Sequence, residues 1–489
     1  MRPLKDILYK CHIIRFIGNN DIPIEGITFD SRNTTKNSVF IAIKGTVTDG
    51  HKYIEQVIEK GIAAIVCEEL PEKINSEVCY VLVNNTSETL GIMACNFYDN
   101  PSGKLKLVGI TGTNGKTTTV TLLYNIFRLL GYKAGLISTV RNCVNEHIFP
   151  STHTTPDPIE INNLLSEMCD EGCEYCFMEV SSHAIVQNRI TGLQFTGGIF
   201  SNITHDHLDF HKTFDAYIQA KKMFFDSLQS DAFALVNIDD KNGRVMIQNT
   251  RATIKTMAIK KEADFNCRIL ENQFDGLLLN INGKDVVSHL VGTFNAYNLL
   301  AIFGATILLG VDEDEALIAL SKLVAVDGRF EYFKSPDGAI GIVDYAHTPD
   351  ALKNVIDTIN AIRIGTGKLI TVVGAGGDRD KTKRPVMAKI ASTGSEMLIL
   401  TSDNPRSENP EEIINQMYEG IPIERKRKCL LISDRRQAIK TACSLAVKDD
   451  VILIAGKGHE TYQEIKGVKH HFDDREILQE FFLSDNIHK

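Results

Sequence analysis

The chain has 489 residues, which is too long for one ordinary hydrophobic core and predicts roughly three domains. It carries 53 Lys and Arg against 62 Asp and Glu, and this net charge of -9 argues against a general nucleic-acid or membrane-surface binder. The first residues lack the continuous apolar core of a signal peptide and no segment supplies a membrane span, so we expect a soluble, cytoplasmic protein.

The N-terminal region, 1–102, predicts a small α/β domain. Its short apolar runs, VFIAI, AAIVC and YVLV, alternate with turn residues as far as a break between Asp99 and Lys104. Apolar runs of this length, bounded by turn residues, are typical of buried strands.

The region 103–330 predicts a mostly parallel sheet. Apolar strands, LKLVGI, AGLISTV, CFMEVS, GGIFSNI and FALVNID, alternate with helical stretches. Between the first strand and the first helix stands the glycine-rich stretch ITGTNGKTTT, from Ile110 to Thr119. Apolar residues recur at helical spacing from Val120 onward, and Gly131 is placed to end that helix.

This glycine-rich stretch predicts a phosphate site at a helix N-terminus. It departs from the strict Walker pattern GxxxxGK[ST], because five residues rather than four separate Gly109 from Gly115. Gly112 and Gly115 still let the backbone turn its N–H groups toward an anion. Lys116 can neutralise phosphate charge, and Thr117 can ligate Mg²⁺. The strand before and the helix after disfavour the alternative, a glycine turn with a solvated lysine.

Eleven cysteines, scattered from Cys11 to Cys443, are predicted to be reduced thiols rather than a disulfide framework. Cys169, Cys173 and Cys176, in CDEGCEYC, have the spacing of an iron–sulfur ligand set. Their segment indicates a helix end followed by a buried strand, which favours inert cysteines instead.

Two further candidate site residues follow strands. Glu179 stands at the end of CFMEVS, and His207 lies in SNITHDHLDFH just after GGIFSNI. Taken alone, His207 fits a surface or core histidine better than a metal ligand, and Glu179 fits a solvated carboxylate better than a site residue. Because ligands bind at the carboxyl ends of strands in open parallel sheets, we expect both residues near the phosphates.

The region 331–489 predicts a second doubly wound, Rossmann-like sheet. The strands AIGIVDYA, KLITVVGAG, EMLILTSD, CLLISD and VILIAGKG alternate with helical segments, and DNPRSENPEEII has the turn residues and acidic first turn of a helix start. The predicted fold class is therefore α/β, with three domains that meet at a cleft. The basic run from Glu424 to Lys428 is interpreted as a solvated face.

The order of the motifs resembles that of the Mur ligase family. The resemblance runs from Asp30 in DSR to Glu476 in DDRE and so spans all three predicted domains. In that family the loop reads GTxGK[ST], which accounts for the departure from the Walker pattern. The motifs that carry the resemblance are TGTNGKTT, MEVSSHA, SNITHDHLD, the AK of AKKMFF, GTFNAYN, GRFE, VDYAHTPDAL, GAGGDRDKTKRP, DNPR and GKGHE.

The resemblance implies ATP and Mg²⁺ binding by the central domain. It implies that Thr117 and Glu179 hold one Mg²⁺ and His207 a second. Lys221, in AKKMFF, resembles the lysine that is carbamylated in this family and placed beside the metal, and an ordinary charged lysine is the alternative. Lys116, His207 and Lys221 are the implied catalytic residues. The implied ATP-binding residues are Gly112, Thr113, Asn114, Gly115, Lys116, Thr117, Thr118, Asn295, Asn298, Arg329, Asp344 and His347.

The resemblance also implies two substrate subsites. DNPR is the form found in members that add meso-diaminopimelate, whose distal carboxylate and amine Arg406 and Glu460 can pair. L-lysine has no distal carboxylate, so a buried, unpaired arginine would penalise it. The implied UDP-MurNAc-dipeptide contacts are Ser31, Thr154, Thr155, Ser181, Gln187 and Arg189. The implied amino-acid contacts are Arg379, Asp403, Asn404, Pro405, Arg406, Gly456 and Glu460.

The implied activity is the ATP-dependent addition of meso-diaminopimelate to UDP-N-acetylmuramoyl-L-alanyl-D-glutamate through an acyl phosphate. Such a reaction serves peptidoglycan synthesis, and through it cell-wall formation, cell shape and cell division. The alternatives are an L-lysine-adding member, a folylpolyglutamate-type synthetase and a non-catalytic nucleotide-dependent binding module. Expected partners are small-molecule substrates, with no nucleic acid and no membrane, and we expect a monomer.

Overall fold

A computed structural model describes residues 1–45, 48–363 and 365–484. The N-terminal elements are β1 (Arg2–Pro3), α1 (Leu4–Ile7), β2 (Ile13–Ile17), β3 (Pro23–Ile24), β4 (Gly26–Thr28), β5 (Ser38–Ile41), α2 (Ile54–Glu59), β6 (Ala64–Cys67), β7 (Cys79–Val83) and α3 (Thr86–Phe97). A sheet of order β2-β7-β6-β5-β4 is parallel except for β2. The apolar runs VFIAI, AAIVC and YVLV lie in β5, β6 and β7, which confirms a small α/β unit.

The central elements surround a larger sheet. They are β8 (Lys106–Thr111), α4 (Lys116–Leu129), β9 (Ala134–Ile137), β10 (Arg141–Val144), β11 (His147–Pro150), α5 (Pro158–Asp170), β12 (Tyr175–Glu179), α6 (Ser182–Val186), β13 (Gly197–Phe200), α7 (Leu208–His211), α8 (Phe214–Asp226), β14 (Phe233–Asn237), α9 (Gly243–Met246), β15 (Thr253–Ala258), β16 (Phe265–Gln273), β17 (Gly276–Ile281), β18 (Lys284–Ser288), α10 (Thr293–Leu308) and α11 (Glu313–Ser321).

The strand order of the central sheet is β11-β10-β9-β12-β8-β13-β14-β15-β16-β17-β18. Strands from β9 to β16 in that order run parallel, whereas β10 and β11 at one edge and β17 and β18 at the other are antiparallel. Apolar residues of α4, α10 and α11 cover one face, and those of α5 and α8 cover the other. The predicted mostly parallel sheet is therefore confirmed.

The glycine-rich stretch joins β8 to α4, as predicted. Gly115 caps the helix with φ 86°, and Gly131 follows its last turn with φ 88°. Both angles lie in the left-handed region, which glycine adopts without steric cost. Val120, Leu123 and Phe127 are buried against the sheet, so the apolar periodicity of the sequence marks the packed face.

The C-terminal elements form a third sheet. They are β19 (Glu331–Lys334), β20 (Ile340–Asp344), α12 (Pro349–Ile362), β21 (Leu369–Val373), α13 (Lys383–Gly394), β22 (Met397–Leu400), α14 (Pro410–Glu419), β23 (Cys429–Leu431), α15 (Arg435–Leu445), β24 (Val451–Ala455), β25 (Tyr462–Ile465), β26 (Val468–His471) and α16 (Asp474–Ser484). The order β19-β20-β24-β21-β22-β23 is parallel except for β19, with α12, α13 and α14 on one face and α15 and α16 on the other. This is the doubly wound sheet that the sequence predicts.

The cysteine cluster lies where a helix ends and a strand begins, as predicted. Cys169 is in the last turn of α5, Cys173 is buried in the following turn, and Cys176 is buried in β12. Burial raises the pKa of each of these thiols, which keeps them protonated and unreactive. Of the described helices, none combines the length and apolar character that a membrane crossing requires.

Candidate functional site

A cavity of about 930 Å³ lies between the central and C-terminal sheets, at the carboxyl ends of their strands. Crevices at this edge are the usual ligand sites of doubly wound sheets. The residues named from the sequence that border the cavity are Thr113, Asn114, Gly115, Lys116, Thr117, Thr118, Thr154, Glu179, His207, Asn298, Arg329, Asp344, His347, Arg379, Asp403, Asn404, Arg406, Gly456 and Glu460.

The loop before α4 is braced by the end of β13. Ser201 Oγ donates to the carbonyl oxygen of Asn114 at 2.7 Å, and Asn202 Oδ1 accepts from the Asn114 N–H at 3.0 Å. Behind the loop the first N–H groups of α4 have no partner within the helix, as at every helix start, and face the cavity side. The loop is thus held as a preformed anion cradle. The sequence motif SNITHDHLD contains both brace residues, but no role was inferred for them.

Two lysines converge on one carbonyl oxygen in this loop. Lys116 Nζ donates to the oxygen of Gly112 at 3.0 Å, and Lys221 Nζ donates to the same oxygen at 2.8 Å. Lys221 is 1% exposed and lies over the Tyr217 ring. Burial, followed by the nearby Lys116 charge, lowers the pKa of Lys221 well below its usual value. Its amine is therefore biased toward the neutral, nucleophilic form.

The residues named for metal binding are brought to the same part of the cavity. Glu179 is 1% exposed, and its Oε1 accepts from the Thr139 N–H at 2.8 Å. His207, with φ 53°, begins α7, and burial lowers the pKa of its ring despite the neighbouring Asp206 carboxylate. No three His, Cys, Asp or Glu side chains among the described residues form a ready-made metal cage. The donor set suits a Mg²⁺ that takes other ligands from water and substrate phosphates.

Asn295 and Asn298 lie at the N-terminal end of α10, facing the glycine-rich stretch from Ile110 to Thr119, which we call the phosphate loop. Asn298 Nδ2 donates to Asn295 Oδ1 at 3.0 Å, and Asn295 Nδ2 donates to the carbonyl oxygen of Val291 at 2.8 Å. Asn298 borders the cavity, whereas Asn295 stands behind it. The pair therefore places one amide at the wall opposite Gly115.

The residues named for the dipeptide form a hydrogen-bonded cluster beside Glu179. Thr155 Oγ1 donates to the Glu179 carbonyl oxygen at 2.8 Å. Arg189 Nη1 donates to the Thr155 carbonyl oxygen at 2.7 Å, and Arg189 Nη2 donates to Gln187 Oε1 at 2.7 Å. Ser181 Oγ is 3.2 Å from Thr155 Oγ1. Thr154, next to Thr155 in the chain, borders the cavity. Ser31 lies apart from this cluster, in the N-terminal sheet unit, where Lys60 Nζ donates to its carbonyl oxygen at 2.6 Å.

One contact from the turn before β19 crosses the cleft to the phosphate loop. Arg329 Nη2 donates to Thr117 Oγ1 at 3.1 Å, and the guanidinium lies over the Tyr345 ring at 4.4 Å. Asp344 accepts from the Phe330 N–H at 2.7 Å and so fixes the turn that carries Arg329. The sequence named Arg329, Asp344 and His347 for this side of the cleft, and the structure brings Arg329 to the loop itself.

Two further crossing contacts were not anticipated. Lys383 Nζ, at the start of α13, lies 2.5 Å from Asp206 Oδ1. Asp350 Oδ2, in the first turn of α12, accepts from Asn114 Nδ2 at 2.8 Å and Thr204 Oγ1 at 3.3 Å. The motifs GAGGDRDKTKRP and VDYAHTPDAL contain Lys383 and Asp350, yet a single sequence gives no sign of the partner across the cleft.

The residues named for the amino acid gather at the far end of the cavity. Asn404 Nδ2 donates to Glu460 Oε2 at 2.7 Å, which joins the DNPR segment to the GKGHE segment. Gly456 has φ 118°, and a Cβ there would stand 2.5 Å from Asp403 Oδ2, so this close approach requires glycine. Arg379 borders the cavity in the loop after β21, and Pro405 lies against the Gly377 backbone.

Arg406 is held by the hairpin of β25 and β26. Its backbone N–H donates to the Glu464 carbonyl oxygen at 3.0 Å, and its carbonyl oxygen accepts from the Lys466 N–H at 2.7 Å. Its Nε lies 3.3 Å from Glu464 Oε2, and its Nη1 donates to the Gly377 carbonyl oxygen at 2.7 Å. Arg406 has φ 50°, a left-handed conformation that these backbone contacts impose. Arg406 also borders the cavity.

Comparison with known protein families finds three families, each matching one of three successive parts of this chain. Residues 23–98 match "Mur ligase family, catalytic domain", residues 110–306 match "Mur ligase middle domain", and residues 328–458 match "Mur ligase, glutamate ligase domain".

Individual relatives agree over the whole length. A Bacteroides fragilis protein named UDP-N-acetylmuramoyl-L-alanyl-D-glutamate--2,6-diaminopimelate ligase is 56% identical over 479 residues, which cover 98% of this chain and 99% of that one. A solved structure with the same name has 30% identity and a TM-score of 0.70, with 99% of each chain covered. The structure of a MurF ligase from Thermotoga maritima in complex with ADP shares the fold, with 21% identity, a TM-score of 0.62 and coverage of 94% and 97%.

Proposed function

The chain belongs to the Mur ligase family and is an ATP-dependent, amide-bond-forming ligase, and we propose that it joins meso-diaminopimelate to UDP-N-acetylmuramoyl-L-alanyl-D-glutamate in peptidoglycan synthesis. One observation carries the choice of substrates. One cavity is bordered both by the phosphate loop, at the carboxyl end of β8, and by Arg406 and Glu460, beyond the carboxyl ends of β22 and β24. A diacidic, diamino substrate matches a paired guanidinium and carboxylate.

The domains divide the substrates between them in this proposal. Residues 1–102 bind the uridine end with Ser31, residues 103–330 bind ATP and the dipeptide, and residues 331–489 bind the amino acid. The cluster around Arg189 supports the dipeptide assignment, because its guanidinium is fixed by Gln187 and Thr155, and Thr155 Oγ1 is bonded to the Glu179 carbonyl oxygen. A preoriented cation of this kind suits an anionic substrate.

The reaction is proposed to start on the dipeptide. A carboxylate oxygen of the D-glutamyl residue attacks the γ-phosphorus of ATP, the bond from that phosphorus to the β–γ bridging oxygen breaks, and ADP leaves. Lys116 offsets the repulsion between the two anions, and the N–H groups at the start of α4 hold the phosphates. The neutral diaminopimelate amine then attacks the acyl carbon and loses a proton, the bond from that carbon to the oxygen bridging to phosphorus breaks, and phosphate leaves with the bridging oxygen. No protein nucleophile is needed.

Mg²⁺ binding is part of this proposal. Thr117, Glu179 and His207 border the phosphate end of the cavity and would hold the ion with help from the substrate phosphates. The ion supplies charge neutralisation at the transferring phosphoryl group. Asp206 Oδ2 lies 3.5 Å from His207 Nε2, and Asp206 pairs in turn with Lys383.

Carbamylation of Lys221 is also proposed. The neutral amine attacks CO₂, loses a proton and becomes an anionic carbamate, which places a negative charge beside the Lys116 ammonium group. The depressed pKa and full burial of Lys221 support this step. Protein prepared with ¹³C-labelled CO₂ should show a carbamate carbon resonance that the Lys221→Met variant lacks, and its absence from both would count against the modification.

Substrate choice is tested by phosphate release with ATP and UDP-MurNAc-dipeptide. We expect release with meso-diaminopimelate and little with L-lysine, because L-lysine leaves the Arg406 guanidinium unpaired. Equal rates with both amino acids would assign the chain to the lysine-adding members, and release with glutamate on a folate would indicate a folylpolyglutamate-type synthetase. No release with any acceptor would favour a binding module.

A further inference from the structure

A fully buried lysine lies behind the amino-acid end of the cavity. Lys457, in the GKGHE segment, is 0% exposed. Glu460 and Asn404 border the cavity in front of it, whereas Lys457 is absent from the described cavity wall. A buried ammonium group is costly unless its hydrogen bonds are satisfied, so its partners define what it does.

Lys457 closes a triangle of hydrogen bonds with those two residues. Its Nζ donates to Asn404 Oδ1 at 3.1 Å and to Glu460 Oε2 at 3.1 Å, and Asn404 Nδ2 donates to Glu460 Oε2 at 2.7 Å. Asn404 Oδ1 also accepts from the Glu464 N–H at 2.9 Å. Because two donors fix the oxygen of this amide, its NH₂ group must point to Glu460.

The triangle leaves one oxygen of Glu460 for a ligand. Oε2 accepts from both Lys457 and Asn404, while the described part of the chain donates no hydrogen bond to Oε1. The side chain of Glu460 is 16% exposed, at the cavity. Lys457 and Asn404 therefore hold Oε2 and leave Oε1 to a ligand in the cavity.

We propose that Lys457 is a positioning residue that presents Glu460 Oε1 to the distal ammonium group of diaminopimelate. This inference rests on the proposed function, because it assigns a role within the same amino-acid subsite. Lys457 acts without touching the substrate. Its loss leaves Glu460 free to rotate, so diaminopimelate loses the partner of its distal ammonium group while the ATP and dipeptide subsites keep their contacts.

The test compares KM values for the three substrates in Lys457→Met and in a matched control. Arg363→Met also removes a cation that pairs with a glutamate, Glu396. This pair lies at the amino end of β21, whereas the cavity lies at the carboxyl ends of the strands. We expect the KM for meso-diaminopimelate to rise about 10- to 100-fold in Lys457→Met, as for loss of a charge-assisted hydrogen bond. The KM for ATP and dipeptide should stay within about twofold, and Arg363→Met should shift the thermal midpoint without changing any KM.

A double substitution separates positioning from loss of fold. In the Glu460→Gln background, Lys457→Met should add little, because the carboxylate it positions is already gone. If Lys457→Met does not fold, as judged by ADP-dependent thermal stabilisation, Lys457→Gln carries the same comparison. The inference is overturned if the KM for diaminopimelate changes no more than in Arg363→Met, or if the two effects add fully. Wild-type protein that releases no phosphate with meso-diaminopimelate would instead overturn the proposed function.

Discussion

The side chain of Lys116, in the phosphate loop, is hydrogen-bonded to the loop and is not a solvated cation. Lys116 Nζ donates to the carbonyl oxygens of Gly112 and Thr113 at 3.0 and 2.9 Å, so it folds back over the loop. Burial lowers the pKa of Lys116, although Glu179 and Asp206 act in the opposite direction. An incoming phosphate offers this ammonium group an anionic acceptor in place of neutral carbonyls, which strengthens binding.

Substitution of Lys116 should therefore remove catalysis. We expect Lys116→Ala to lower kcat by about 100-fold or more, because a group that stabilises transferring charge is lost. Lys106→Ala is the matched control, since Lys106 lies in the strand before the loop and its Nζ donates to Tyr175 Oη and to the Leu309 carbonyl oxygen. ATP-dependent phosphate release measures both, and near-normal turnover in Lys116→Ala would refute its role.

We expect Arg406 to affect the binding of meso-diaminopimelate more than the catalytic rate. In Arg406→Lys we expect the KM for meso-diaminopimelate to rise about 10-fold or more, because lysine cannot keep the Glu464 and Gly377 contacts and also bind a carboxylate bidentately. The KM for ATP should remain unchanged. Arg427→Ala, on the exposed basic run, serves as the control. Initial rates over a range of diaminopimelate concentrations decide the matter, and a shift in the ATP KM of equal size would contradict this assignment.

The helices and strands were predictable to the extent that their apolar pattern was strong. Each apolar run named from the sequence in the parallel parts of the sheets lies in a strand, and the turn at Gly131 ends its helix. The strands Thr253–Ala258, Phe265–Gln273 and Gly276–Ile281 were not anticipated. The first two mix buried with exposed positions, and the third alternates buried with partly buried ones, so none has the continuous burial of the parallel strands named from the sequence.

The two glycines that bound helix α4 make a controlled comparison. Gly115 and Gly131 have φ of 86° and 88°, but an added Cβ at Gly115 would stand 2.5 Å from Asn298 Oδ1, whereas at Gly131 it meets nothing within 4 Å. Both Gly→Ala changes should cost about 1–3 kcal/mol of unfolding free energy through backbone strain. Only Gly115→Ala should also weaken ADP binding, as measured by calorimetry; equal weakening in both would argue against a direct role for this loop geometry.

Contacts across the cleft were the part of the site that could not be predicted from the sequence. Asp206 and Lys383 are 177 positions apart, Asn114 and Asp350 are 236 apart, and Thr117 and Arg329 are 212 apart. Resemblance to a family placed Arg329 at the cleft, but the other partners depend on how two separately folded sheets meet. Hydrophobic periodicity describes each sheet and carries no information about that meeting.

Weakening this interface should uncouple ATP use from amide formation. We expect Asp350→Ala to lower the yield of amide per phosphate released, because a cleft that closes poorly admits water to the acyl phosphate. The helix bearing Asp350 would keep its fold, since Thr348 caps it. Glu412→Ala, on the exposed face of α14, is the control. Product and phosphate are quantified in the same reaction, and a ratio that stays at one in Asp350→Ala would show that this contact is dispensable for coupling.

The hairpin beside Arg406 has a consequence for how this enzyme can diverge. Its attachment to the DNPR segment includes main-chain hydrogen bonds of Arg406 with Glu464 and Lys466, together with a hydrogen bond from Gln463 Nε2 to the Asp403 carbonyl oxygen. The main-chain bonds do not depend on the side chain of Glu464, so that side chain can be exchanged while the ribbon stays docked. Because the Glu464 carboxylate contacts the Arg406 guanidinium, such an exchange is a route by which evolution or a protein engineer can retune the preferred diamino acid without rebuilding the scaffold.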